Sequence, residues 1–438
     1  MTILLSAALA LAGAVVAPQA DCAGQSCVAG LSAKNLFDIA ARAEAAGDPD
    51  QAQVILTALT RDPRPTYRAE ARFRLGKLRE RRGDRAGALA EYRRLLDEDP
   101  GAQRVRLEVA RLLALTGDES GARRELRRAS ASGLPDDVAR VVDQFATALR
   151  SRRTLGGTIE IALAPDSNIN AATRRQTIET VIADLPLDDD ARGRSGVGLA
   201  LSGQGYWRTR LGGQALLTRL SGRADLYRDA DFRDVSATLA VGPEYQWGRT
   251  RLRPAGIASR RYYGGRHYSD SYGTTMNLVA PAGKAGQIEA EVSMLGSRYA
   301  INPAQDGTIY DGNIAYDRAF GARLSTRLTA RATRQSARDP GYATTAFGGD
   351  VLLVRQIGAQ TLFGQVGAAR IIGDARLSLF PQARRDTRWD ATAGLLWRRW
   401  KIAGLSPVVR LTRTRNRSSL DIYDFRRTRA EFALSREF

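Results

Sequence analysis

The sequence predicts an α + β multidomain chain: an α-helical repeat solenoid followed by a transmembrane antiparallel β-barrel of about fourteen strands. Three observations predict it. From Thr154 to Phe438, segments of about ten residues alternate apolar and polar and are separated by turn residues, the pattern of a barrel with one wall in lipid and one in water. From 33 to 150 the periodicity is helical and repeats every 34 residues. An apolar leader opens the chain.

The chain has 438 residues, more than one compact core requires. Hydrophobic content is 43% and mean hydropathy −0.31, which excludes a helical membrane protein but not a barrel with a polar lumen. Net charge is +19. The excess is mostly arginine spread evenly along an Ala/Gly/Arg-rich chain, with no basic cluster interleaved with stacking aromatics, so nucleic acid is not an expected partner. A basic lumen or attraction to anionic outer-membrane lipid suits the charge better.

Residues 1–20 read as a secretory signal peptide without a basic n-region, with small residues from Ala17 to Ala20 as the cleavage zone. A linker, 21–32, carries Cys22 and Cys27, which export would allow to pair.

In the domain at 33–150, Gly83-Asp84 recurs as Gly117-Asp118, and Ala88 as Ala122. Gly76, Gly83, Ala88, Tyr92 and Pro100 fall at tetratricopeptide-repeat spacing. Small Ala88 lets antiparallel helices approach, Gly83 allows the turn, Tyr92 fills the groove, and Asp99-Pro100 ends the second helix. A looser unit with Gly47-Asp48, Ala52 and Asp62-Pro63 precedes it. That makes about three repeats, and a last helix near 136–150 leads into the barrel at 154–438.

Strands are expected near 154–165, 193–208, 213–226, 235–248, 250–264, 271–282, 285–298, 307–320, 322–336, 341–358, 359–373, 384–400, 402–417 and 423–438. Short turns (Leu211-Gly212-Gly213, Gly248-Arg249-Thr250, Phe320-Gly321-Ala322, Ile357-Gly358-Ala359) alternate with long loops at 166–192, 226–234, 298–308 and 374–384. Short turns belong on the periplasmic side, so both barrel ends and the helical repeats are expected there, in a cell outer-membrane protein. Trp207, Trp247, Trp397 and Trp400 near those turns form an interfacial girdle. Arg219, Arg223, Arg323, Arg327, Arg331 and Arg410 face the lumen with Glu160, Glu244, Glu289 and Glu291. At the C-terminus, outward Phe432, Leu434 and Phe438 form a signal for the barrel-insertion machinery, from which Arg436 departs.

One histidine, His267, leaves no Ser-His-Asp or Cys-His site, and no metal spacing or phosphate loop occurs. The chain is expected to be no enzyme and to need no cofactor.

The stretch Pro165-Asp166-Ser167-Asn168-Ile169-Asn170, after the first strand and behind tetratricopeptide repeats, resembles the barrel start of the surface lipoprotein assembly modulator (Slam) family. Pro165 stops a strand, and the polar side chains can order a loop. The resemblance implies an outer-membrane translocon that moves lipoproteins, or related secreted proteins, from periplasm to cell surface. The repeats would receive the client and the barrel would supply the path. The charged lumen would then either guide the polypeptide or simply pair with itself. A polysaccharide exporter, or a diffusion porin with a repeat scaffold, is the alternative.

Overall fold

The computed structural model describes residues 31–131, 154–212, 214–398 and 400–437. The signal peptide, Cys22, Cys27, the helix expected at 136–150, Gly213 and Phe438 lie outside them. The chain forms two compact units, one ending at Ala71 and one starting at Arg72.

The first unit holds α1 (Ala33–Ala45), α2 (Pro49–Leu59) and the opening turns of α3 (Pro65–Arg81). Ser32 Oγ accepts the Asn35 amide at 3.2 Å and Asp48 Oδ1 accepts that of Gln51 at 3.0 Å, so both helix starts are capped. Gly47, at φ +78°, reverses the chain between them. Phe37, Ala40 and Ala43 on α1 and Ala52, Leu56 and Leu59 on α2 are buried.

The second unit continues α3 and adds α4 (Arg85–Glu98), α5 (Gln103–Thr116) and α6 (Glu119–Ala131). Gly83 and Gly117 turn with φ +81° and +90°. Asp84 and Asp118 cap the helices that follow, accepting the amides of Gly87 and Gly121 at 2.7 and 2.6 Å. Ala88 and Ala122 are fully buried. Gly76 makes room for Tyr92: a Cβ there would stand 2.3 Å from the Tyr92 Cε1. Pro100 follows the end of α4, and its carbonyl accepts from Arg106 at 2.9 Å.

Fourteen antiparallel strands then close a barrel: β1 (Leu155–Asp166), β4 (Gly196–Leu211), β5 (Gln214–Tyr227), β6 (Asp234–Trp247), β7 (Thr250–Tyr263), β8 (Arg266–Pro281), β9 (Gly286–Tyr299), β10 (Gly307–Phe320), β11 (Leu324–Gln335), β12 (Thr344–Ile357), β13 (Gln360–Arg376), β14 (Ala383–Trp397), β15 (Ser406–Ser418) and β16 (Phe425–Glu437). A small hairpin, β2 (Thr177–Ile178) and β3 (Leu185–Pro186), lies in the first long loop. Each strand pairs with its sequence neighbour, and β1 closes on β16.

The wall alternates as the sequence requires. Ile159, Ile161, Leu163, Leu328, Leu411 and Phe432 are exposed on the outside, the band a bilayer would cover. Exposed Trp207, Trp247 and Trp400 lie at the short-turn end. The fifth tryptophan, Trp389, is exposed near the middle of β14, and Tyr272 on β8 and Tyr310 on β10 are exposed as well.

Three details differ from expectation. Gly264 and Gly265, with φ +59° and +71°, make a two-residue turn on the long-loop side, so β8 starts at Arg266. Ala403 and Gly404, with φ +50° and +82°, form a turn that delays β15 to Ser406 and leaves Trp400 in the connection rather than in a strand. Arg323 sits in the turn between β10 and β11: Gly321 (φ +77°) turns the chain and β11 starts only at Leu324, so Arg323 lies exposed at the rim and not on the lumen wall.

Candidate functional site

The lumen wall is a set of ion pairs between neighbouring strands. Inward positions recur every second residue, so acids and arginines on adjacent strands meet. Arg327 on β11 donates to Glu289 on β9 at 2.8 Å and to Asp317 on β10 at 3.1 Å. Arg331 pairs with Asp350 on β12. Asn277 bridges Glu289 and Glu291, each at 3.2 Å. Glu244 holds Arg253 at 2.6 Å and Arg208 at 3.2 Å. Arg410 joins Glu160 at 2.6 Å to Glu431 at 2.5 Å. Arg223 pairs with Asp225 on its own strand at 3.0 Å. Arg219 faces the lumen near Glu244 and Glu291, with no direct ion pair among the described residues.

Helices α4 to α6 stand at the short-turn mouth. Arg127 on α6 donates to Gln287 at the start of β9 at 2.8 Å. Arg398, after β14, donates to Asp97 on α4 at 2.9 Å. The Tyr206 hydroxyl on β4 reaches the Gly117 carbonyl at 3.4 Å. These contacts reach well-separated strands, so the helices lie across the opening. Between them and the wall is a cavity of ≈ 1400 Å³, lined on the helix side by Arg85, Arg93, Arg124 and Arg127 and on the barrel side by residues such as Arg219, Glu289 and Arg327. Burial pushes the Arg127 guanidinium down to about 10, so it stays charged at neutral pH. Glu125 beneath it is opposed by burial, but Arg128 and Arg106 outweigh that and hold its carboxyl below the usual range.

The stretch Pro165 to Asn170 lies at the other end, where β1 meets β16. Asp166, 4% exposed, accepts the Asn168 amide at 2.9 Å and the Arg427 Nε at 2.8 Å; the Tyr227 hydroxyl stands 3.4 Å away. The Ser167 hydroxyl accepts the Thr428 amide at 2.8 Å. Asn168, fully buried, donates to the carbonyls of Ala172 at 2.8 Å and Arg426 at 3.1 Å. Ile169 and Asn170 tie the loop to Arg194 and Arg192 at 2.7 and 2.8 Å. The string thus fastens the first long loop to the last strand.

Its partners Arg427 and Arg429 were missed in the sequence, although Arg427, Arg429 and Glu431 at alternate positions of β16 announce a charged inner face. Phe432 and Leu434 share the outer face.

The family model described as "Surface lipoprotein assembly modifier" matches residues 157–438, and a tetratricopeptide-repeat model matches 81–142. The surface lipoprotein assembly modifier of Moraxella catarrhalis is 22% identical over 54% of this chain and 46% of its own length. Surface lipoprotein assembly modifier 1 of Neisseria meningitidis serogroup B is 28% identical over 43% of this chain and 38% of its own. The aligned part therefore spans less than half of either relative. Among solved structures, a Pseudomonas aeruginosa FadL homologue matches 74% of this chain and 95% of its own at 12% identity and a TM-score of 0.38, a loose likeness. A charged, fourteen-stranded outer-membrane barrel, tetratricopeptide helices before it and a family match over its whole wall lead to one assignment: the chain belongs to the surface lipoprotein assembly modifier family.

Proposed function

We propose that this protein is an outer-membrane translocon that carries lipoproteins from the periplasm to the cell surface. It acts as a conduit, not a catalyst. The observation that carries this reading is the placing of α4 to α6 over the short-turn mouth, above a charged cavity continuous with the lumen. Short turns face the periplasm in barrels of this kind, so a client arriving from that side meets the helices first. The wall offers paired charges, each worth about 0–1 kcal/mol where exposed, so contacts with a passing chain can form and release. The barrel-insertion machinery is the expected partner during assembly.

The test is co-expression with an epitope-tagged surface lipoprotein in cells lacking their own copy of this protein. Protease should remove the tag from intact cells only when this protein is present. If the tag stays protected while small sugars or polysaccharide cross freely, the translocon reading fails and the porin or exporter takes its place.

A further inference from the structure

The seam that closes the barrel has the shortest ladder among the described residues, although β6–β7 also lapses from Gly242 to Glu244 and β13–β14 beyond Ile372. β1 runs unbroken against β4 from Leu155 to Asp166, and β15 unbroken against β16 from Ser406 to Asn416. Between β1 and β16 the register holds only from Thr158–Glu437 to Leu163–Phe432, then lapses at Ala164 and Pro165, and resumes at Asp166–Arg429. Proline has no N–H to give a ladder. The lapse lies toward the long-loop end, the outer-leaflet side of the band.

Side chains also span this seam. Arg410 on β15 reaches over β16 to Glu160 on β1, and Arg429 on β16 reaches over β1 and β4 to Asp225 on β5, at 2.6 and 2.5 Å. Such pairs can exchange for water in a wet lumen. The end beyond the lapse is pinned by Asp166, by the Ser167–Thr428 bonds and by Arg175 on Asp421 at 3.2 Å.

The inner face beside the seam is also unlike the charged wall. Ala162, Val408 and Ala433 form a buried apolar cluster with Phe363, Leu396 and Ala200 packed on it. Leu396 also borders the cavity, as do Thr158 and Ser435 on the two seam strands. A continuous path therefore runs from the charged cavity, over an apolar patch, to the interrupted ladder. Outside it stand Leu163 and Phe432, both exposed.

We propose that the β1–β16 seam is the lateral exit for the acyl chains of a lipidated client. This rests on the translocon reading above. β1 stays with β4 and β16 with β15, while the short ladder between them parts below the pinned outer end. Acyl chains cross the apolar patch into the outer leaflet and the polypeptide keeps to the charged lumen.

The test uses a Cys22→Ser/Cys27→Ser background with a disulfide lock at Ala162→Cys/Ala433→Cys, which are register partners. The control lock is Ser271→Cys/Ser297→Cys, whose hydroxyls lie 2.7 Å apart on β8 and β9. The probe is the tagged lipoprotein, as its acylated form and as a cleaved, unacylated form with its lipid-bearing cysteine replaced. Heat-modifiable migration on gels checks that each variant is folded. The oxidised seam lock should cut display of the acylated form at least tenfold, reductant should restore it, and the unacylated form and the control lock should be unaffected. Pro165→Ala, which returns an N–H to the ladder, should slow the acylated form several-fold without any oxidation. Undiminished display through a locked seam overturns the proposal, and so does an equal loss of both forms. If the unlocked background displays neither form, the translocon reading has failed and the lateral exit fails with it.

Discussion

Asp166 and Arg427 face each other across the closing seam of the barrel, with the Arg427 Nε 2.8 Å from a carboxylate whose side chain is fully buried. Arg429 stands 3.8 Å from the same oxygen. Removing the acid leaves two inward guanidinium groups without it, and breaking a buried pair from one side costs about 3–5 kcal/mol. Asp166→Ala should therefore lower the temperature at which the barrel loses its folded gel migration by many degrees. Asp166→Asn, which keeps the shape and one acceptor, should fall between. Wild-type migration in Asp166→Ala would show that the seam does not depend on this pair.

Gly76 and Tyr92 make a second test, because two effects oppose each other there. In a helix, Ala is favoured over Gly by about 1 kcal/mol. A Cβ at Gly76, however, would meet the buried Tyr92 ring at 2.3 Å, and overpacking of this kind costs about 1–3 kcal/mol. The clash should win: Gly76→Ala should lower the helical melting midpoint followed by circular dichroism of the detergent-solubilised protein. Tyr92→Leu added to it should recover part of the loss. A stabilised single variant would mean that the ring can move aside.

The orientation can be read by labelling. Pro186 and Ser378 are exposed in long loops, and Gln214 is exposed at the start of β5 beside a short turn. Cysteines at the first two should react with an impermeant maleimide on intact cells, and one at Gln214 only after the outer membrane is opened. Phe380 is a poor reporter although it lies in the same loop as Ser378, because it is buried with Ile178 and Leu420. Labelling at Gln214 on intact cells would invert the topology.

Strand alternation and turn glycines made the fourteen strands and the repeat turns legible in the sequence, since both are local. Gly83, Ala88 and Tyr92 stand in the sequence at local spacings within one repeat for the same reason. What was not legible is non-local. Arg323 shares the parity of Arg327 and Arg331, but β11 begins only at Leu324, so the turn holds it at the rim. The polar string Asp166 to Asn170 reads alone as an ordered loop. Its partners Arg426, Arg427 and Thr428 are some 260 residues away, and only closure of the barrel brings them together. The contacts of Arg127 and Asp97 with the rim are hidden likewise.

Acid should loosen the helices. Burial opposes the charge on Glu108 and Glu125, but Lys77 and Arg111 for the first, and Arg128 and Arg106 for the second, hold both carboxyls below the ordinary value of 4.5. A depressed carboxylate adds stability that is complete above its unfolded value and is lost as pH falls through the folded one. The helical signal should thus keep its midpoint from neutrality to about pH 5 and lose it below the ordinary carboxylate range. Glu125→Gln should be less stable at neutral pH and flatter in acid. An acid profile unchanged by that substitution would rule these pairs out as its source.

The last prediction concerns the mouth. Asp97 with Arg398 and Arg127 with Gln287 hold α4 and α6 to the rim at 2.9 and 2.8 Å. Asp97 and Arg398 are 8% and 21% exposed in their side chains, so the bond is shielded from water. Hydrogen bonds to charged groups contribute about 1.5–3 kcal/mol each. Removing both shifts a seated cap toward release and alters only one strand side chain, at the rim end of β9. Asp97→Ala/Gln287→Ala should therefore raise the single-channel conductance in planar bilayers well above wild type, while the barrel keeps its folded migration. Lysine in place of Asp97 should act more strongly, because it sets a like charge against Arg398. If the helices obstruct the lumen, the open-state current of these variants should approach that of a chain lacking residues 33–131. If wild type already conducts as freely as the truncated chain, the helices leave the path open, and their part is to receive a client rather than to close the pore.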